Sequence, residues 1–142
     1  MKKKILIVVA NYYKKISTGL INSAKKPLSG SVKLIEVPGV FEIPVTIAKN
    51  IKKYDGFIAL GCVIKGKTPH FDFISKASIE GIMKLSIESK KPIGNGIITC
   101  LNFKQAMVRR KKGFEASKAV LSVLNNNRFK WQNILNQKIT QE

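Results

Sequence analysis

Four short runs rich in β-branched and other apolar residues recur along the chain: ILIVVA at 5–10, VKLIEV at 32–37, GFIALGCV at 56–63 and PIGNGIIT at 92–99. Near-continuous apolar character suits strands covered on both faces, as in a parallel sheet. The stretches between them carry helical spacing. Ile16, Leu20 and Ala24 fit one helix, Ile43, Ile47 and Ile51 a second, and Ile74, Ala77, Gly81 and Leu85 a third. After the fourth run, Asn102 with Gln105 three positions on reads as a helix N-cap and its reciprocal partner, opening a short helix that ends near 109–112. Gly113 punctuates, and Ala116, Ala119, Val120, Val123 and Leu124 then make the cleanest helical stripe in the chain. The order βαβαβαβαα with right-handed crossovers predicts the α/β class: a three-layer α/β/α sandwich on a four-stranded parallel sheet, flavodoxin-like. A chain of 142 residues holds one sizeable core. The expectation is a single domain over 1–127, with a polar C-terminal extension, 128–142, as a terminal helix or loose tail.

Several function classes fall away. The longest apolar runs, at 5–10 and 57–64, are far shorter than the roughly 18 residues a membrane span needs. The start MKKKILIVVANYYKK has a basic opening, but its apolar run is too short and no small-residue cleavage site follows, so it reads as a first strand. Cys62 and Cys100 lack the spacing of a zinc site, and the single histidine cannot complete a metal set; buried thiols in a reducing cytoplasm are expected. The net charge of +18 invites a nucleic-acid reading. Yet the cations are overwhelmingly lysines spread along the chain, without aromatic interleaving, so the expectation is a solvated basic surface and no nucleic-acid partner. Such a field steers anionic small molecules toward a site.

Residues 61–73 read GCVIKGKTPHFDF, and the first eight satisfy the nucleotide-binding pattern G-x-x-x-x-G-K-[ST]. The inner residues do not suit it: Cys62, Val63 and Ile64 continue a strand, and β-branched residues resist the backbone angles of a glycine-rich nest. No strand-like run ends in an aspartate that could hold magnesium. Thr68 as N-cap and Pro69 at the first helical position instead open a helix from about His70. The helix start, with Lys65 and Lys67 beside it, makes an anion site just past a strand's carboxyl end, where open parallel sheets bind ligands. His70 in that first turn is a candidate proton-transfer residue. A flavodoxin-type electron carrier would place its phosphate loop after the first strand, whereas Ser17, Thr18 and Gly19 lie too far into the first helix.

Three segments, VPGVFEIP at 37–44, GCVIKGKTPHFDF at 61–73 and GNGIITCLNFKQAMVR at 94–109, resemble motifs of the 6,7-dimethyl-8-ribityllumazine synthase family, in order and spacing, from about Lys4 to Asn125. The resemblance implies a transferase of riboflavin biosynthesis that condenses 5-amino-6-(D-ribitylamino)uracil with 3,4-dihydroxy-2-butanone 4-phosphate, without metal or cofactor. It implies His70 as catalytic. It further implies Tyr12 stacking on the pyrimidine, Gly39, Val40 and Phe41 contacting it through their backbone, Glu42 accepting from the ribityl hydroxyls, and Cys62, Val63 and Ile64 lining the ring. Lys67, Thr68 and Arg109 match phosphate-binding positions, and Asn95 matches a pyrimidine contact. In the family the site lies between neighbours of a pentamer, so Asn95 and Arg109 would come from the adjacent chain. Between Arg109 and Gly113 the family has a longer loop; here only RKK stands, and Lys112 keeps the Lys-Gly pair as a candidate phosphate contact. Both a free pentamer and a sixty-subunit shell are compatible with the family; repulsion between +18 chains weighs against dense assembly at low salt.

Overall fold

The computed structural model describes residues 3–126; the polar extension lies outside them. Its strands are β1 (Ile5–Ala10), β2 (Val32–Val37), β3 (Gly56–Ile64) and β4 (Ile93–Cys100), all parallel and ordered β2-β1-β3-β4. The first two coincide with their apolar runs. β4 starts one residue later than expected because Pro92 has no N–H for the ladder, although its carbonyl accepts the Phe57 N–H at 3.0 Å.

The helices are α1 (Lys14–Lys25), α2 (Ile43–Lys49), α3 (His70–Ser89), α4 (Phe103–Val108) and α5 (Lys112–Leu124), with short 3-10 turns at Val40–Glu42 and Arg109–Lys111. All six residues of β1 are buried, as the central position requires. Ile5, Ile7 and Val9 pack with Leu20, Ile58, Leu60 and Val120 on the side of α1 and α5. Leu6, Val8 and Ala10 pack with Ile43, Ile47, Phe57 and Ala59 on the side of α2 and α3. The result is the three-layer α/β/α sandwich on a four-stranded parallel sheet.

The helices differ from expectation in three places. On α3 the inward residues are Ser75, Ser78 and Ile82; Ile74, Gly81 and Leu85 are half-buried and Ala77 is exposed. The face turns by about one residue because serines occupy it, Ser78 donating to the Val40 carbonyl at 3.4 Å. On α5 the stripe holds at Ala116, Val120 and Leu124, but Ser117 is buried while Ala119 and Val123 are exposed. Gly113 does not punctuate: it sits in the first turn of α5, where a Cβ would collide with the Leu20 carbonyl and Ser23 of α1. Asn102 does cap α4, accepting from Gln105 N–H at 2.8 Å, whereas the Gln105 side chain reaches back to Leu101 N–H rather than to Asn102. The short Arg109–Lys111 turn joins α4 to α5 without an excursion.

Candidate active site

In a parallel sheet all strands end at the same rim, so the chain segments leaving β1, β2 and β3 meet there. Tyr12 leaves β1, the Gly39–Glu42 turn follows β2, and Cys62 to His70 complete and leave β3. Tyr12 is 75% exposed, its ring set edge-on to Tyr13 with centroids 4.8 Å apart. Tyr13 in turn packs edge-on to Phe103, and burial foremost, then Tyr12 and Cys62, raises its phenol above the usual value of 10.0. In the turn after β2, Val40 is buried over Gly61, while Phe41 projects at 63% exposure. Glu42 is half-buried and its carbonyl accepts from Thr46 at 2.8 Å.

On β3, Cys62 points into the core beside α1 while Val63 points to the α2 side, so near the rim the strand offers backbone edges rather than polar side chains. Lys65, Lys67, Thr68 and His70 are all exposed. The helix opens one residue later than expected: Pro69, at φ −70° and ψ 1°, is itself the N-cap rather than the first helical residue, and no side chain caps the start, although Thr68 Oγ1 accepts the His70 N–H at a long 3.4 Å. Two ammonium groups and the imidazole therefore stand at the positive end of a 20-residue helix, where anions are favoured.

Arg109 stands elsewhere. The Cys100 carbonyl accepts Lys65 N–H at 2.8 Å and is therefore turned toward β3. Carbonyls alternate along a strand, so that of Thr99 is turned to the free edge of β4. Arg109 Nη1 donates to that Thr99 carbonyl at 3.1 Å. The guanidinium thus lies across β4 from the first group, in an open cleft of about 420 Å³ shared with Ile97, Thr99, Lys111 and Lys112. Lys112 Nζ is 2.9 Å from Glu115 Oε2, an exposed pair that contributes little. Asn95 is exposed on β4, five residues before its end, with Oδ1 accepting the Ile97 N–H at 3.1 Å. Within one chain, then, the structure gathers Tyr12, Gly39 to Glu42, Cys62 to Ile64, Lys67, Thr68 and His70. It leaves Arg109 and Lys112 in the cleft at the outer edge of β4, and Asn95 on the α3 face of that strand beside Ile79, Met83 and Ser86.

One polar residue at the rim escapes the motifs. Asn11, at the end of β1, donates its N–H to the Val37 carbonyl at 2.9 Å and its Nδ2 to Glu36 at 3.2 Å, and accepts from Ser17 at 3.1 Å. A lone asparagine after an apolar run carries no sign in the sequence of partners 25 positions away.

Among the described residues no helix is long and apolar enough to cross a membrane. The sequence model of the 6,7-dimethyl-8-ribityllumazine synthase family matches residues 2–128. The chain is similar to the 6,7-dimethyl-8-ribityllumazine synthase of Bartonella tribocorum, at 41% identity covering 91% of this chain and 95% of the relative. It is also similar to the synthase of that name from Zymomonas mobilis, at 39% identity over 86% of this chain and 94% of the relative. That of Cutibacterium acnes is 37% identical over 85% of this chain and 80% of the relative. With the family match spanning the whole described fold and relatives above 30% identity covered over most of their length, the chain belongs to the 6,7-dimethyl-8-ribityllumazine synthase family.

Proposed function

We propose that this chain condenses 5-amino-6-(D-ribitylamino)uracil with 3,4-dihydroxy-2-butanone 4-phosphate to 6,7-dimethyl-8-ribityllumazine, the penultimate step of riboflavin biosynthesis, at sites shared by adjacent copies in a cytoplasmic homopentamer. Family membership carries the reaction. The observation that carries the shared site is the placement of Arg109 across β4 from His70. A second copy that brings its β4 edge to the rim of the first would unite the two groups. Exposed apolar side chains on α2 and α3, among them Val45, Met83 and Ile87, support such an assembly.

In this reading Tyr12 stacks on the pyrimidine, and the backbones of Gly39, Val40, Phe41, Cys62, Val63 and Ile64 hold its edges. Glu42 accepts from the ribityl hydroxyls. Lys67 and Thr68, with Arg109 of the adjacent copy and Lys112 near it, hold the phosphate, and Asn95 of that copy closes on the pyrimidine. The amine attacks the ketone and loses water to give an imine; phosphate is then eliminated, and ring closure with loss of a second water forms the lumazine. His70 moves protons between these steps beside the departing phosphate, whose charge the cations stabilise. The domain over 1–127 suffices for these roles, with the 128–142 extension outside them.

Incubating the protein with both substrates is expected to yield the product's absorbance and fluorescence, and no product above the uncatalysed background overturns the reading. Arg109→Ala is expected to raise the KM for the phosphorylated substrate by roughly tenfold or more, the scale of one charged hydrogen bond, with a smaller effect on the pyrimidine. Sharing is tested by complementation. His70→Ala and Arg109→Ala chains, dissociated and reassembled together, should regain activity at mixed interfaces; a site within one chain would give no recovery.

A further inference from the structure

We propose that Asn11 is a positioning residue for Tyr12, clamping the turn that presents its ring to the pyrimidine; the inference rests on the stacking role assigned to Tyr12 above. Asn11 immediately precedes Tyr12 and ties three elements together. Its N–H holds the Val37 carbonyl at the end of β2, its Nδ2 holds Glu36 on the same strand, and its Oδ1 faces Ser17 in the first turn of α1.

The orientation of the amide is dictated by chemistry. A carboxylate can only accept, so Nδ2 faces Glu36 and Oδ1 is left for the buried Ser17 hydroxyl. That hydroxyl has one proton, and the Tyr13 and Lys14 carbonyls at 3.0 and 3.1 Å compete for it. The Glu36 bond is therefore what holds the amide in register. On the other flank, the Tyr13 carbonyl accepts the N–H groups of Ile16 at 3.1 Å and Ser17 at 2.9 Å. The backbone is thus held before and after Tyr12, while Tyr12 itself extends into the open. Its ring is free to meet a planar ligand, and less conformational freedom remains to be lost on binding.

The test separates positioning from mere stability. Asn11→Asp keeps the shape but sets one carboxylate against another. It is expected to raise the KM for the pyrimidine about fivefold, equivalent to about 1 kcal/mol or one net hydrogen bond, and to leave the KM for the phosphorylated substrate unchanged. The exchanged pair Asn11→Asp with Glu36→Gln restores a donor and an acceptor in swapped positions and should return the pyrimidine KM to within about twofold of the parent. A lowered Tm with unchanged KM in Asn11→Asp, or failure of the exchanged pair to recover binding, overturns the inference while leaving the site intact. Tyr12→Ala run alongside is expected to raise the pyrimidine KM more than Asn11→Asp does. If it leaves that KM unchanged, the stacking role itself falls and the clamp has nothing to position.

Discussion

The two helical layers on either side of the sheet are finished differently. On the side of α1 and α5 the helices cross through small residues: Gly113 lies against the Leu20 carbonyl, Ser117 donates to the Ala24 carbonyl at 2.6 Å, and Ser23 donates to the Arg110 carbonyl at 2.8 Å. Outward, α1 and α5 show solvated lysines, Lys14, Lys15, Lys25 and Lys118. On the other side, α3 turns serines inward and leaves Phe73, Ile79, Met83 and Ile87 exposed, beside Phe41 and Val45. The first layer completes its polar contacts and presents charge to water. The second also exposes charge, at Lys76, Glu80, Lys84 and Glu88, but leaves a set of large apolar side chains among it, which a monomer has little reason to do. The layer that carries His70 on α3 is thus the one whose apolar surface the assembly proposed above would cover. The first side has apolar exceptions too: Val108 and Phe114 flank Arg109 and Lys112, the other group placed at an edge, and Phe103 and Val123 are also exposed.

The contrast breaks most severely at Gly113. Replacing it with alanine drives a Cβ into backbone that cannot retreat without separating α1 from α5, at a cost of about 3 kcal/mol, and should lower the melting temperature by about 10 °C. At Gly66 an added Cβ meets nothing within 4 Å, and alanine there should leave the melting temperature almost unchanged. Equal effects at the two glycines would deny that the α1 and α5 crossing is the tight one.

Next in size is the open layer. Met83→Lys with Ile87→Lys places two ammonium groups on the apolar stripe of α3, where a lone subunit tolerates them and a subunit interface does not. Light scattering should show a smaller species with helix content retained, and activity should fall at least tenfold if the site is shared. Lysines at the exposed Thr18 and Asn22 of α1 should change neither. If both pairs leave the assembly intact, the apolar stripe of α3 is not its interface.

These differences mark what the sequence could tell. The strands are legible to within about a residue because burial on both faces leaves no alternative to continuous apolar runs. The rim residues are legible too, since the carboxyl ends of parallel strands are where such sheets bind. The inward face of α3 is not, because hydropathy reads Ser75 and Ser78 as outward while the fold buries them, one bonded to Val40. Gly113 looks like a helix breaker until Leu20, 93 positions earlier, stands against it. The separation of Arg109 from His70 depends on which way the Thr99 carbonyl turns, and that follows from the register of Lys65 against Cys100. Asn11 acquires meaning only once β1 and β2 pair.

The smallest expected effect sharpens the contrast from inside the closed layer. Cys62 and Cys100 are free thiols on the α1 and α5 side of the sheet, Cys62 level with Ile98 and Cys100 level with Ile64. Burial foremost, then the neighbouring Cys100 thiol, pushes Cys62 from its ordinary 9.0 up to about 12. Between those values the unfolded chain releases this proton while the folded chain retains it. The unfolded state therefore binds fewer protons, and stability falls as pH rises from about 9 toward 12, with no contribution to the slope from this group at lower pH. Cys62→Ala is expected to cost about 1 kcal/mol at neutral pH through the cavity it leaves, and to flatten the decline in melting temperature across the alkaline window. In the parent, iodoacetamide at pH 8 should leave both thiols unmodified. A cysteine introduced at Met83 should react readily in dissociated subunits and slowly in the assembly. Fast modification of Cys62 in the folded protein would mean that the α1 and α5 layer opens, and the contrast between a closed side and an open side would fail at its closed end.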